Sequence, residues 1–329
     1  MKIRNAGVSR RAFLKSFGVG AAGLALPTAA AAGQERIPGG HDGELATLLD
    51  LSKCIGCGEC VSACRESNAH KFPEPKKPFP KMLGKARTED WSERRDVEDR
   101  LTPYNWLTLQ TAEVEYDGTA HEVHVPRRCM HCQNPPCAHL CPFGAASKLE
   151  NGTTRIHDSF CMGGSKCQAV CPWGVPQRQS GVGLYLHMMP RLAGNGVMYK
   201  CDRCFQLVEQ GDAPACISAC PEDVQTIGPR HEIVAEARRL AEETGGFLYG
   251  LDENGGTNTI YLSPVPFEAL DQAVFKGEGQ PHLGPAADSM ADETNLATAT
   301  LLAPIAGIAA AALGLGSRLF GKKEDDDVA

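Results

Sequence analysis

The sequence predicts an α+β fold of two paired, cysteine-bearing domains with β-hairpin insertions, followed by a single C-terminal transmembrane helix. Three observations predict it. All 15 cysteines of the 329-residue chain fall in four short runs. The turn pairs Asp117-Gly118 and Asn151-Gly152 lie in the stretches that separate those runs, the first between two alternating segments. Residues 297–316 are twenty in a row without a charge.

The run that organises the chain is Cys129-x2-Cys132-x4-Cys137-x3-Cys141-Pro142. Three close thiolates suit one iron–sulfur cube. A fourth, set back and trailed by proline, reaches a neighbouring cube, which is the bacterial ferredoxin pattern. The other runs vary it: Cys54-x2-Cys57-x2-Cys60-x3-Cys64, Cys161-x5-Cys167-x3-Cys171-Pro172, and Cys201-x2-Cys204-x11-Cys216-x3-Cys220-Pro221. The predicted units are therefore tandem bacterial-ferredoxin-like, double-dicluster domains. Disulfides fit poorly, because the cysteine count is odd. Structural zinc fits poorly too, because it takes two close ligand pairs held apart by a spacer.

Composition narrows the function. Net charge is −7. Residues 1–32 carry Lys2, Arg4, Arg10, Arg11 and Lys15 and no acid, so the remainder has 28 basic against 40 acidic side chains, a net −12. Such a balance disfavours nucleic acid, which needs a basic face to neutralise phosphates.

Residues 1–32 read as an export leader. Ser9-Arg10-Arg11-Ala12-Phe13-Leu14-Lys15 resembles the twin-arginine motif. An apolar stretch from Phe17 to Leu26 follows, then small residues, with cleavage after Ala30 or Ala32. That route exports folded proteins, so cysteines already ligated in the cytoplasm need not become disulfides.

Leu45 to Leu51 reads as a strand leading into the first run. Gly56 and Gly58 lie between its ligands, where positive φ turns N–H groups toward an anionic cluster. Prolines 73, 75, 78 and 80 make the following segment an extended loop. A β-hairpin is predicted over 106–125 and a shorter one over Leu149–His157. Trp91 and Trp106 read as core and hairpin packing rather than cluster shields. Residues 178–198 read as an irregular loop. His187 with Met188 and Met189 invites a haem reading, but no CxxCH motif is present, and a buried, satisfied histidine is expected. Ile233, Ala237, Leu240 and Ala241 share one face of a helix over 231–243 that Gly245-Gly246 stops. Two strands, 247–250 and 259–262, flank the Gly-rich turn Glu253 to Gly256. Residues 269–296 read as a linker and 317–329 as a cytoplasmic tail.

At 1.5 Å per residue, residues 297–316 span about 30 Å, a bilayer's hydrocarbon thickness. Ala303, Gly307 and Ala311 recur every four residues, which suits close packing on a partner helix. Arg318, Lys322 and Lys323 follow the span, while Asp288, Asp292 and Glu293 precede it. The positive-inside rule puts the C-terminus in the cytoplasm and the cysteine region in the periplasm.

The third run lacks a ligand. Laid over the first run, its second cysteine falls on Gly164. Three outcomes follow: a 3Fe-4S cluster, a 4Fe-4S cluster with oxygen from Ser165, Asp158 or water, or an empty site. Glycine offers no ligand, which favours the first.

Together the four runs, with the x11 gap in the last, resemble the iron–sulfur subunits of respiratory oxidoreductases over residues 44–268. That family includes subunits of formate dehydrogenase-N, dimethyl sulfoxide reductase, nitrate reductase and hydrogenase-2. The leader, the C-terminal anchor and the segment Gly255 to Glu268 make the hydrogenase-2 type most similar. The resemblance implies that the first run pairs with the fourth and the second with the third. Cluster one would take Cys54, Cys57, Cys60 and Cys220. Cluster two would take Cys201, Cys204, Cys216 and Cys64. Cluster three would take Cys129, Cys132, Cys137 and Cys171. Cluster four would take Cys161, Cys167 and Cys141, with the vacancy at Gly164. The cofactors are then three 4Fe-4S clusters plus one 3Fe-4S cluster or one 4Fe-4S cluster with a non-cysteine ligand. In the family the fourth cluster lies nearest the membrane partner.

The implied role is a relay of electrons between a periplasmic catalytic subunit, hydrogenase-like, and an integral-membrane quinone-reactive or cytochrome subunit. The chain itself shows no pterin, flavin or nickel motif, so it is expected to be non-catalytic. The competing readings are the same relay serving a molybdopterin oxidoreductase, a metal-stabilised anchor without electron transfer, and a catalytic cluster at the open corner.

Overall fold

The computed structural model describes residues 37, 43–81, 88–188, 191 and 195–291. The predicted leader, the predicted span 297–316 and the tail 317–329 lie outside these residues, as does Met189. Among the described residues, no helix is long and apolar enough to cross a membrane.

The described chain is α+β. Strand β1 (Leu45–Asp50) is buried at every position. Helix α1 (Glu59–Asn68) follows the first cysteines. Strands β2 (Thr108–Tyr116) and β3 (Thr119–Arg127) form the long hairpin, registered Thr108 to Arg127 and Tyr116 to Thr119. Both Asp117 (φ 49°) and Gly118 (φ 72°) are left-handed, as a two-residue hairpin turn that matches strand twist requires.

Three short units come next. Helix α2 (Pro136–His139) precedes the pair β4 (Ala146–Lys148) and β5 (Thr154–Ile156). Helix α3 (Lys166–Ala169) precedes β6 (Gln177–Gln179). A single turn, α4 (Tyr185–Met188), leads toward β7 (Val197–Tyr199), which pairs with β6. Helices α5 (Phe205–Glu209) and α6 (Ala215–Ser218) complete the fourth run. The remaining elements are β8 (Gln225–Pro229), α7 (Arg230–Thr244), β9 (Phe247–Tyr249), β10 (Thr259–Ser263) and α8 (Phe267–Ala273).

One four-stranded sheet, ordered β8-β1-β10-β9, divides the core. Side chains of a strand alternate between faces. Ala46 and Leu48 of β1 pack with Ile260 and Leu262 of β10 against Ile233 and Ala237 of α7. Leu45 and Leu49 point the other way, into a larger core that includes Cys60, Cys64, Cys129, Cys137, Cys167, Cys201 and Cys216. The sheet is a wall with a helix behind it and cysteines in front.

Three expectations change. Residues 178–198 were expected to be irregular, yet Gln177–Gln179 and Val197–Tyr199 pair as strands. His187 was expected to be buried but is exposed. The expected linker 269–296 carries ordered structure over its described residues, 269–291. Helix α8 occupies its start, Leu283 is 1% exposed, and its N–H donates to Asp271 Oδ1 at 2.6 Å. Tyr249 Oη donates to Gly284 O at 2.8 Å, and Asn254 N–H donates to Ala286 O at 2.7 Å. The polar Gly/Pro composition there covers the core with a backbone-bonded strap.

Trp106 stacks on Tyr199 at 6.4 Å and meets Phe72 edge-on at 5.8 Å. Trp91 is buried beneath the Arg94 guanidinium, 4.3 Å from its ring centroid. Both tryptophans are packing residues.

Candidate metal centres

No described cysteine is in a disulfide. The structure gathers them into four sets drawn from distant parts of the chain. Cys54, Cys57, Cys60 and Cys220 line one pocket. Cys129, Cys132, Cys137 and Cys171 line another. Cys141, Cys161 and Cys167 line a third with Gly164 and Ser165. Cys64 lies among Cys201, Cys204 and Cys216, whose charges, with burial first, hold its thiol well above the ordinary range.

Helical spacing explains how each run serves two sets. Cys60 and Cys64 share a face of α1 one turn apart, about 6 Å along its axis, so one reaches the first set and the other the second. The same four-residue step separates Cys137 from Cys141, Cys167 from Cys171 and Cys216 from Cys220, each pair joined by a short helix.

The sets adjoin in one order. Cys60 acts on Cys216, joining the first and second. Cys129 acts on Cys201, joining second and third. Cys137 acts on Cys167, joining third and fourth. The second set is buried throughout, whereas Cys57 and Gly164, at opposite ends of the line, are exposed. Exposed Ile55 and Phe143, at 60% and 55%, flank those two ends.

Burial and mutual repulsion make the thiols hard to ionise alone. Burial, then Cys54, pushes Cys60 up to about 12. Burial pushes Cys201 and Cys171 up to about 11 and Cys216 to about 12. Thiolates so crowded need positive charge, which bound metal supplies. Among the described residues, no three His, Cys, Asp or Glu side chains converge on a point suited to a single ion. The donors instead line cavities, which suits a cluster with iron at several corners.

A second observation supports an anionic guest. Arg128 is 2% exposed, and its Nη1 donates to Cys216 Sγ at 2.9 Å. Its Nε and Nη2 are buried without a protein partner. A buried guanidinium with spare donors beside four cysteines fits a sulfide-bearing group. Burial opposes its charge, but Cys216 and Cys201 outweigh burial and raise its pKa. Further donors reach the thiols: Asn68 Nδ2 to Cys204 Sγ (3.7 Å), Val224 N–H to Cys220 Sγ (3.4 Å) and Met198 N–H to Cys161 Sγ (3.3 Å). Such hydrogen bonds help set reduction potential.

At the vacancy, a Cβ built on Gly164 would meet only Phe143 Cε2, at 4.0 Å. Ser165 lines this cavity, but its hydroxyl donates to Met198 Sδ at 3.4 Å. Asp158 is not among the residues lining it.

Sequence reading did not foresee Arg128, His131, Lys200 and Asn68 around the thiols. Arg128 and Lys200 border a cysteine run and His131 lies inside one, which was the available signal. The segment Gly256 to Thr259 clamps the second run. Gln133 N–H donates to Gly256 O (2.9 Å), Asn258 N–H to His131 O (3.0 Å) and Thr259 Oγ1 to Cys129 O (3.1 Å).

Two family models, each described as a 4Fe-4S dicluster domain, match residues 53–145 and 120–230. The chain is 30% identical over 300 residues to the hydrogenase-2 operon protein HybA of Escherichia coli O157:H7, covering 80% of this chain and 83% of that one. It is 26% identical over 317 residues to the nitrate-inducible formate dehydrogenase iron-sulfur subunit of Escherichia coli K12, covering 87% and 90%. A protein of Nitratidesulfovibrio vulgaris is 32% identical over 271 residues, and the chain spans 66% of its length. With the cysteine sets in place, these matches show that the chain belongs to the family of tandem 4Fe-4S dicluster, iron–sulfur electron-transfer subunits.

Proposed function

We propose that this chain relays electrons along its four cysteine sets between a periplasmic catalytic oxidoreductase subunit and an integral-membrane quinone-reactive subunit. The observation that carries this reading is the line itself, with interior sets in the middle and an exposed member at each end. Iron–sulfur clusters bound at the sets would supply one-electron centres. The cysteines would hold them as foreseen: Cys54, Cys57, Cys60 and Cys220; Cys64, Cys201, Cys204 and Cys216; Cys129, Cys132, Cys137 and Cys171; and Cys141, Cys161 and Cys167. The exposed Gly164 corner, with the Ser165 hydroxyl turned to Met198, supports three 4Fe-4S clusters and one 3Fe-4S cluster. Arg128 and Lys200 offset thiolate charge, and the surrounding core excludes water from the middle sets.

In this reading residues 1–32 direct export, residues 297–316 anchor the chain, and the C-terminus is cytoplasmic. The likeness to HybA supports a hydrogenase-type catalytic partner. The longer cover of the formate dehydrogenase subunit supports a molybdopterin partner as the second reading.

Anaerobic membranes from cells with and without the full chain test the function. Hydrogen or formate is supplied, and reduction of a menaquinone analogue is followed. Reduction that needs the chain supports the relay, and the donor that works identifies the partner class. Equal reduction by both donors without the chain contradicts it.

A further inference from the structure

His131 and Lys200 make a crossed arrangement between the second and third sets. His131 lies in the run between Cys129 and Cys132, yet its Nε2 is 3.8 Å from Cys201 Sγ of the second set. Lys200 immediately precedes Cys201, yet its Nζ donates to Cys129 Sγ of the third set at 3.4 Å. Each side chain leaves its own set and addresses the other.

One backbone unit holds both. Thr154 N–H donates to His131 Nδ1 at 3.0 Å, so the ring proton sits on Nε2, the atom facing Cys201. Thr154 C=O accepts a hydrogen bond from Lys200 Nζ, which also donates to Cys201 O at 3.0 Å. The three Lys200 donors are thereby used, and the ammonium is fixed. His131, Thr154 and Lys200 are 1%, 1% and 5% exposed. His131 is also held at φ 49°, a region that side chains other than glycine enter rarely and that persists where surrounding structure demands it. Asn258 N–H, bonded to His131 O, helps hold it there.

We propose that His131 and Lys200 are reciprocal positioning residues, each stabilising the reduced form of the cluster held mainly by the other's run. This rests on the reading that the cysteine sets hold clusters. Reduction adds negative charge to a cluster and its sulfurs, so a donor or cation aimed at a ligand sulfur favours the reduced state. Lys200 brings a full charge to the third set, and His131 brings a neutral donor to the second. The pair therefore raises both middle potentials, the third set's by more than the second's.

The test is potentiometric EPR on the full chain with iron counted, using Lys200→Gln and His131→Asn. Glutamine keeps a donor and loses the charge. Asparagine tolerates the left-handed backbone and is too short to reach Cys201. Signals are assigned beforehand with Cys132→Ser and Cys204→Ser. At a poised potential, Lys200→Gln lowers the reduced-to-oxidised ratio of the third-set cluster about tenfold, a 59 mV shift for one electron. His131→Asn lowers that of the second-set cluster by less. The first and fourth signals stay in place in both variants. Full iron with neither middle potential moved, or equal movement of all four, overturns the inference. If Lys200→Gln loses iron, Lys200→Arg decides: iron and potential restored together support the charge role, and iron restored without the potential overturns it. A wild-type chain without iron–sulfur signals overturns the cluster reading and this inference with it.

Discussion

Arg128 Nη1 donates to Cys216 Sγ across 2.9 Å from a position that water barely reaches. Among the described residues its other two nitrogens, Nε and Nη2, find no protein partner. Burying a guanidinium in this way is costly unless an anionic group receives it. Four cysteines around it supply that group once they are ionised by metal.

Arg128→Gln therefore acts on the second set. Removing one member of a buried charge pair costs about 3–5 kcal/mol, so the melting temperature falls. Where the cluster is retained, its reduced-to-oxidised ratio at a fixed potential drops about tenfold. Thermal melting and EPR titration of the same sample check both. An unchanged potential would show that the guanidinium only fills space.

Gly164→Cys is expected to convert the fourth site. The added Cβ meets only Phe143 Cε2, at 4.0 Å, so the backbone accepts it. Iron per chain rises by about one, and the oxidised three-iron EPR signal disappears. If that signal persists in the variant, the vacancy does not set the cluster type.

Gly196→Ala is expected to disrupt the fourth site from a distance. Gly196, just before β7, has φ 69°, and a Cβ there would stand 1.8 Å from Gln179 O at the end of the β6–β7 pair. Left-handed strain costs about 1–3 kcal/mol before the clash is counted. β7 carries the Met198 N–H bonded to Cys161 Sγ, so the fourth cluster is lost first. Iron analysis and limited proteolysis read the effect, and wild-type values in both would refute it.

Asp271 gives a pH dependence away from the cysteines. Burial would raise its pKa, but Lys276 and the Leu283 N–H outweigh burial and hold it below the ordinary carboxylate value. A depressed folded pKa contributes stability above the unfolded value, near about 3.9, and loses it as pH falls through the folded one. Asp271→Asn is expected to cost about 1 kcal/mol near pH 7, discounted for solvent screening. It should loosen residues 274–291 to protease. The difference from wild type should shrink as pH falls from the unfolded value through the lowered folded one, and a difference independent of pH would contradict this account.

Ligand chemistry was the most legible part of the sequence, because cysteine spacing is fixed by cluster geometry. The long hairpin was legible through Asp117-Gly118, and α7 through its apolar face and Gly245, which has φ 66°. Helix α1 was hidden by Gly56, Gly58 and its charges, although Cys60, Val61, Cys64 and Asn68 follow a helical period. The β6–β7 pair has only three residues per strand and is created by contacts between distant segments, which periodicity does not report. The strap at 274–291 is rich in Gly, Pro and Ala and bonded through its backbone, so composition disguised it as a linker. His131 and Lys200 carried no pattern of their own, since their roles arise only when two separate runs meet.

The central claim is that the four cysteine sets hold redox-active clusters in a line. The most direct measurement is an EPR-monitored redox titration of the anaerobically purified full chain, with iron counted on the same sample. The account predicts about fifteen irons per chain, a three-iron signal when oxidised, and four-iron signals on reduction. Zinc in place of iron, with no EPR signal at any potential, would contradict it.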